Sequence, residues 1–532
     1  MAAVRTALRR GFDRAERGLD RIFGPDWNPL AQFGPLGWFM FWIVVVTGVY
    51  LFIFFDTGVT AAYQSVEWLT EDHWWHAGLA RSLHRYASDL MVVVMLLHLV
   101  REFVNDRYRG RRWFSWVTGV PIIWFVYLSG ITGYWLVWDR LAQFIALTST
   151  ELLDALGIFA EPIARNFLTP ETLSSRFFTL MVFLHIAIPL LLLLAMWIHI
   201  QRITAARTRP PTGLAALTLV ALVAAALILP ARSQGPADRA TVPDVVGIDW
   251  FILGAYPVID AVPAGFVWAS VLAFSLLMIG LPWLPPRREA GAAEVFLDHC
   301  NGCARCVEDC PYAAITLVPR SDGAPFPHEV EVNSARCVAC GICMGSCPSS
   351  SPFRRSGALI TGIDLPDRPL AELRAEVIAA AGALPEPQAA SARVLTLACA
   401  HGAGAAAAPG RVVLPCVAMA PPALIDYIIS RDLADGVCIA GCPERDCHFR
   451  LGGDWTRQRL ARTRDPMLRA RVPRERLKVV WAGLSEAAWL DRELAAFAAG
   501  LAVLPAFANA RPLADDERAA ALATRAEAEV VG

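Results

Sequence analysis

RSLHRYASDLMVVVMLLHLVRE, residues 81–102, decides how the chain is read. It has the length of one bilayer-crossing helix, for which about 20 residues suffice, yet it carries His84 and His98, 14 residues apart. At about 100° and 1.5 Å per residue, that spacing returns to nearly the same helix face, displaced by about 21 Å. A second apolar run repeats the device with His185 and His199, again 14 apart. Ionisable residues are costly in hydrocarbon and call for a use. Two such helices facing each other offer two His–His pairs at two depths, the ligand requirement of two stacked six-coordinate haems. Gly34 and Gly48, then Gly119 and Gly133, repeat the same separation on two further runs. A missing side chain there lets a porphyrin edge or a neighbouring helix approach closely.

Around this stretch the spacing predicts six spans, at 36–55, 83–104, 114–138, 176–200, 213–230 and 263–284. The whole chain agrees: 532 residues, 55% hydrophobic and 18% charged, with net charge -1 and mean hydropathy +0.43. A membrane protein follows, and a basic nucleic-acid binder or an acidic disordered chain is excluded. Arginines mark one side: Arg5, Arg9, Arg10, Arg14, Arg17 and Arg21 precede the first span. Arg101 to Arg112 follow the second, Arg202 to Arg209 the fourth, and Arg287 and Arg288 the sixth. Acidic residues mark the alternate loops, so the positive-inside rule places both termini in the cytoplasm and the spans in a bacterial inner membrane.

With FGPLG and TG in 33–48, RSLH at 81–84, HLVR at 98–101, TGYWLVW at 132–138 and the two histidine pairs, residues ~25–285 resemble cytochrome b of the quinol:cytochrome c oxidoreductase family. The resemblance implies that His84 with His185 holds an outer haem b and His98 with His199 an inner one. It implies that Arg81 and Arg101 pair with haem propionates, although positive-inside anchoring explains an arginine equally, and that two protomers form a homodimer. PDVVGIDWFIL at 243–253 looks like the family's quinol-oxidation motif, with Asp249 exchanging a proton with quinone and Trp250 as a ring-packing wall. An interfacial turn reads the same residues. Asp89 is read as a hydrogen-bonded residue or a proton-handling group.

All 13 cysteines lie between Cys300 and Cys447, a pattern that suits metal ligation in a reducing compartment. CNGCARCVEDCP (300–311) and CVACGICMGSCP (337–348) are each a C-x2-C-x2-C-x3-C-P run, the signature of a bacterial two-cluster ferredoxin, in which each run's fourth cysteine serves the other cluster. One [4Fe-4S] set is then Cys300, Cys303, Cys306 and Cys347, and the other Cys337, Cys340, Cys343 and Cys310. Zinc, the structural alternative, prefers separated cysteine pairs.

VLTLACA (394–400), RVVLPC (411–416), DGVCIAGC (435–442) and LKVVWAG (477–483) read as buried parallel strands, with helices near 421–431, 454–472 and 485–500. Cys399, Cys416 and Cys442 then fall at carboxyl ends of strands, where open sheets place ligand sites, and Cys447 follows. Through these cysteines, DGVCIAGCPERDCHF and the following Gly-Gly, the region resembles the delta subunit of methyl-viologen-reducing hydrogenase, which implies a [2Fe-2S] centre on the four. Cys438 reads as a small buried residue, His448 as a packed surface residue or one that tunes the cluster by hydrogen bonding, and the tail after ~510 as a solvated helix.

The expected architecture is multidomain. An all-α transmembrane haem-binding helix bundle (1–288) precedes an α+β two-cluster ferredoxin domain (289–365), an α/β iron–sulfur domain (390–510) and a tail (511–532). No nucleophile constellation, phosphate loop or dinucleotide fingerprint is present. The expected function is a quinone-linked oxidoreductase subunit passing electrons between the quinone pool and a cytoplasmic flavin-containing dehydrogenase or heterodisulfide-reductase-like subunit docked on the third domain. Chain order suggests the sequence partner, [2Fe-2S], two [4Fe-4S], inner haem, outer haem, quinone. Quinol oxidation feeding a cytoplasmic acceptor, with or without bifurcation, and a passive membrane anchor are the alternatives.

Overall fold

The computed structural model describes residues 2–164, 175–285 apart from 239, 242 and 244, 290–353, 359–385, 392–443 and 446–531. Its first half is helical: α1 Ala2–Phe23, α2 Phe33–Phe54, α3 Leu79–Val104, α4 Trp113–Val137, α5 Arg140–Asp154, α6 Ser175–His199, α7 Thr212–Ile228 and α8 Ala264–Gly280. The six expected spans are α2, α3, α4, α6, α7 and α8. Among the described residues, four segments are long and apolar enough to cross a membrane: α2, α4 with its preceding turn, α6, and α8 with its following turn. Helix α7 is shorter, at 17 residues. Helix α3, at 26 residues, is long enough but carries Arg81, Arg85, Asp89, Arg101 and Glu102. Those side chains have partners inside the protein, which is what lets so polar a helix stand in the bundle.

Helix α2 packs along α3 and α4 along α6. The outer surfaces expose Phe183, Leu190, Val220, Phe266 and Leu272, side chains suited to lipid rather than water. Sequence reading passed over α5, which starts where the Asp139 carboxylate accepts the Ala142 N–H at 2.9 Å. It also passed over α1 as an element. Arg287 and Arg288 lie outside the described residues.

The second half is smaller and mixed. Strands β1 Ile315–Pro319 and β2 His328–Val332 pair antiparallel, and a two-residue ladder joins Glu294–Val295 to Ile363–Asp364. Helix α9, Leu370–Gly382, follows. Then β3 Val394–Cys399, β4 Arg411–Leu414, β5 Gly436–Gly441 and β6 Leu477–Trp481 form one parallel sheet in the order β4-β3-β5-β6. Helices α10 Pro422–Ser430, α11 Gly452–Leu460, α12 Ala487–Ala502 and α13 Asp515–Val531 complete it.

Two expectations fail. The helix expected over 454–472 stops at Leu460, ahead of Pro466 and Pro473, which cannot donate to a helix ladder. The tail is not simply solvated: Leu513 and Ala521 are buried in the same core as α9 and the sheet, and the Arg511 N–H donates to Ser430 O at 2.8 Å. An alanine-rich helix buries such a stripe without displaying an apolar pattern strong enough to read.

The halves touch along the arginine-rich end of the bundle. The Thr204 N–H donates to Pro311 O at 3.0 Å and its hydroxyl to Cys310 O at 2.9 Å. Arg450 donates to Ala205 O at 3.1 Å, and Arg17 to the Ser485 hydroxyl at 2.7 Å.

Candidate functional site

Helices α3 and α6 bring the histidines together in the expected pairs. His84 and His185, the far pair relative to the cysteine-rich half, face each other with ring centroids 6.3 Å apart. Two metal–imidazole bonds of about 2 Å each, with the half-widths of two rings, fill a gap of this size. His98 lies near His199 at the other depth, forming the near pair.

Three Thr-Gly dipeptides serve these rings. The hydroxyls of Thr47, Thr118 and Thr132 donate to Ile43 O at 2.7 Å, Phe114 O at 2.7 Å and Leu128 O at 2.8 Å. Each oxygen is thereby left to accept from an imidazole Nδ1: His84 at 3.1 Å, His199 at 3.2 Å and His185 at 3.2 Å. Val44 O also lies 3.0 Å from His84 Nδ1 and, having no proton, accepts. The Nδ1–H tautomer follows, assigned from the hydrogen-bond network, and Nε2 keeps its lone pair for a metal.

Three of the glycines lie against histidine rings of the neighbouring helix. A Cβ at Gly48 would stand 2.9 Å from His84 Cε1, at Gly133 2.7 Å from His185 Cε1, and at Gly119 3.4 Å from His199 Cε1. Gly34 meets nothing within 4 Å, and Phe33 occupies the place of the threonine beside it. The threonines went unread, although the repeated Thr-Gly pairs were the signal.

The arginines expected at propionates are engaged elsewhere. Arg81 donates to Thr70 and, at 2.9 Å, to Ser233, with Glu67 3.6 Å away. Arg101 is buried between Glu16 and Asp446, 3.0 Å from each. Two carboxylates already balance that guanidinium, so the structure gives it a structural role between halves.

At the far end, Asp249 is buried, accepts from Tyr134 and from the Phe251 N–H at 2.9 Å, and lies 3.8 Å from Arg85. It shares a hydrogen bond with Asp89. Burial opposes ionisation of Asp249, but the hydrogen bonds to Tyr134, Asp89 and Phe251, with Arg85 nearby, outweigh it and hold the carboxyl below its usual range. Trp250 is 71% exposed and Phe251 53%. Trp250 therefore forms no wall to this carboxylate, because an Asx-type turn at Asp249 sends the next side chains outward. Tyr134 and Arg85 were not singled out from sequence, where neither stands apart from other span-end residues.

In the second half, one cavity is lined by Cys300, Cys303, Cys306 and Cys347, and another by Cys310, Cys337, Cys340 and Cys343. These are the two sets expected from the crossed ferredoxin pattern. Burial pushes the Cys306 and Cys340 thiols up to about 12, so they ionise at neutral pH only against a metal's charge. Backbone N–H groups of Ala293 and Ala314 point at Cys337 and Cys310 sulfurs at 3.4 and 3.3 Å, a donor arrangement that suits cluster thiolates.

At the carboxyl edge of the sheet, Cys399 and Cys442 sulfurs are 3.1 Å apart, and Cys447 hydrogen-bonds both Cys416 and Cys442. A Cβ at Gly452 would lie 2.3 Å from the Cys416 sulfur, and the Gly453 N–H donates to Cys447 at 3.4 Å. The Gly-Gly pair is thus part of the cradle, and the donor set fits an iron–sulfur group. Cys438 is buried within β5, apart from the four. His448 is buried, not a surface residue, and stacks on His401 with centroids 3.4 Å apart.

Residues 22–206 match the family model described as cytochrome b/b6/petB, 299–351 the 4Fe-4S dicluster domain, and 394–504 the methyl-viologen-reducing hydrogenase, delta subunit. These are the three components read from the sequence. Among solved structures, the chain is similar to one described as hyperthermophilic respiratory complex III, with TM-score 0.39 and 19% identity over 47% of this chain and 74% of that one. By its matched regions the chain is a membrane redox electron-transfer subunit, with a cytochrome b part that implies haem b and a dicluster part that implies iron–sulfur clusters.

Proposed function

We propose that the chain connects a cytoplasmic redox enzyme to the membrane quinone pool. His84 with His185 and His98 with His199 would hold two b-haems, the crossed cysteine sets two [4Fe-4S] clusters, and Cys399, Cys416, Cys442 and Cys447 a [2Fe-2S] centre. These groups supply one-electron carriers at closely spaced steps. The chain's residues do the rest. Thr47, Thr118 and Thr132 orient the imidazoles, small residues admit the sulfurs, and the bundle excludes water from the path.

The observation that carries the reading is the juxtaposition of the near histidine pair with the cysteine-rich half, through Arg101 three residues beyond His98. Asp249, with Asp89 beside it, is the carboxylate that would exchange protons with quinone at the far end, in line with general acid–base chemistry at a wet boundary. The arginine pattern supports a cytoplasmic position for the cysteine-rich half in a bacterial inner membrane. The soluble partner would be flavin-containing or heterodisulfide-reductase-like, and the assembly a homodimer.

An anaerobic redox titration tests this, following haem absorbance and cluster EPR with and without a quinone-site inhibitor. Two b-haems at separate potentials, three clusters and an inhibitor shift on one haem are expected. A single haem, or haems that ignore cluster reduction, would overturn the wire in favour of a passive anchor.

A further inference from the structure

Chain order would put the delta-like cysteine site outermost, next to a partner, with the ferredoxin part between it and the membrane. The contacts bring both parts to the bundle: beside the Thr204 bonds to Pro311 O and Cys310 O, the delta-like site reaches the end of α3. Asp446, immediately before Cys447, lies 3.0 Å from Arg101 and 2.5 Å from Arg107 at the end of the helix that carries His98. Arg112 donates to His448 O, one residue past Cys447, and stands over the Phe449 ring at 5.2 Å.

On its other side the same site meets the ferredoxin part. The Cys416 sulfur and the Ile342 side chain both close on Gly452, and Ile342 adjoins Cys343 in sequence. Gly345 has no room for a Cβ because Ala418 O would lie 1.9 Å from it. Arg459 bridges the two parts, donating to Ala418 O at 3.0 Å and to Asp309 and Ser346. Cys303 is the exposed ligand of its set, with Cys300 and Cys347 half-buried and Cys306 buried, whereas the other two sets are buried except for half-buried Cys337 and Cys447.

We infer that the Cys399/Cys416/Cys442/Cys447 site is the last soluble relay before the near histidine pair, and that the soluble partner exchanges electrons at the exposed Cys303 face. The inference rests on the functional reading above and reverses its expected order. Cys399, Cys416, Cys442 and Cys447 would hold the one-electron donor and His98 with His199 the one-electron acceptor, so the transfer would balance as one electron lost and one gained with no proton moved. Asp446 acts as a positioning residue, holding Cys447 against the end of α3. The partner is a flavin- or iron–sulfur-bearing protein that brings its redox centre to Cys303.

The test uses the purified, fully loaded chain without a partner. Low-dose radiolytic reduction at liquid-nitrogen temperature adds electrons at random, and the readout is taken from molecules in which a cluster is reduced while a haem is still ferric and paramagnetic. The [2Fe-2S] EPR signal is expected to relax faster than in a His98→Ala sample, whereas the signal of the Cys303 cluster is unchanged. A pattern in which either [4Fe-4S] cluster, at the Cys303 set or at the Cys310 set beside Thr204, is coupled to haem while the [2Fe-2S] signal is indifferent overturns the order. Loss of all cluster and haem signals would instead remove the functional reading itself. A second measurement uses Asp446→Asn, followed by absorbance with reduced methyl viologen as donor. Slower haem reduction with unchanged cluster spectra is expected, and an unchanged rate counts against the route.

Discussion

At the far pair, an added methyl group would stand 2.9 Å from His84 and 2.7 Å from His185, while at the near pair Gly119 allows 3.4 Å and Gly34 meets no neighbour. The far imidazoles also have backbone carbonyls to hold them, Val44 for His84 and Ser129 for His185, whereas Thr118 is the acceptor the structure gives His199. One pair is held by the bundle itself. The other lies beside Arg101, which is shared between Glu16 of α1 and Asp446 of the second half. Two sites built on one 14-residue repeat therefore differ in what keeps them in place.

The largest expected effect breaks this contrast directly. Gly133→Val drives a branched side chain into His185 and should abolish the far haem while the near one survives, leaving one of two b-type signals in reduced-minus-oxidised spectra. Gly119→Ala should keep both. Next, Asp309→Ala strips buried Arg459 of its carboxylate, a loss that costs about 3–5 kcal/mol in comparable buried pairs. If the near pair depends on the second half, the near haem's spectrum shifts in this variant and the far haem's does not.

Thr118→Val removes the Nδ1 acceptor of His199 and is expected to weaken haem retention at the near pair by about 10–100-fold, the usual effect of losing an outer-sphere partner. Thr132→Val at the far pair should cost less, because Ser129 remains, and haem retention on dilution would rank the two. The smallest effect lies away from both. Burial raises the Asp364 carboxyl to about 6, so the native state binds more protons than the unfolded one between about 4 and 6. Stability should fall as pH rises through that window and level off above it. Asp364→Asn, which retains an oxygen for the Leu370 N–H, should flatten the trend in melting temperature.

The pattern of legibility follows the physics of spacing. Histidines on α3 and α6, and cysteines in the two crossed runs, are read because periodicity or a fixed short spacing determines who meets whom. The four sheet strands are equally readable, since buried parallel strands are continuous apolar runs. What escaped were contacts between elements distant in the chain. Nothing in the sequence says that Asp446 seeks Arg101, that Tyr134 donates to Asp249, or that Trp250 turns outward. Order along the chain was also a poor guide to order in space, because α11 and the Gly452 contact fold the last site back against both earlier parts. Four of the six expected spans were legible by length and composition, whereas α3 was marked by its histidines more than by hydropathy.

The salt-bridged roof over the near pair also has a consequence for maturation. Glu16 of α1 and Asp446 of the sheet domain close on Arg101 from two separate stretches of chain, so that depth is covered once the cysteine-rich half has docked. If that cover closes the route to His98 and His199, haem has to arrive there before the clusters' domain settles. The far pair, with no such cover from the second half, imposes no deadline of this kind. Biogenesis would accordingly run from membrane to cytoplasm, with iron–sulfur assembly acting as the seal on a finished cytochrome.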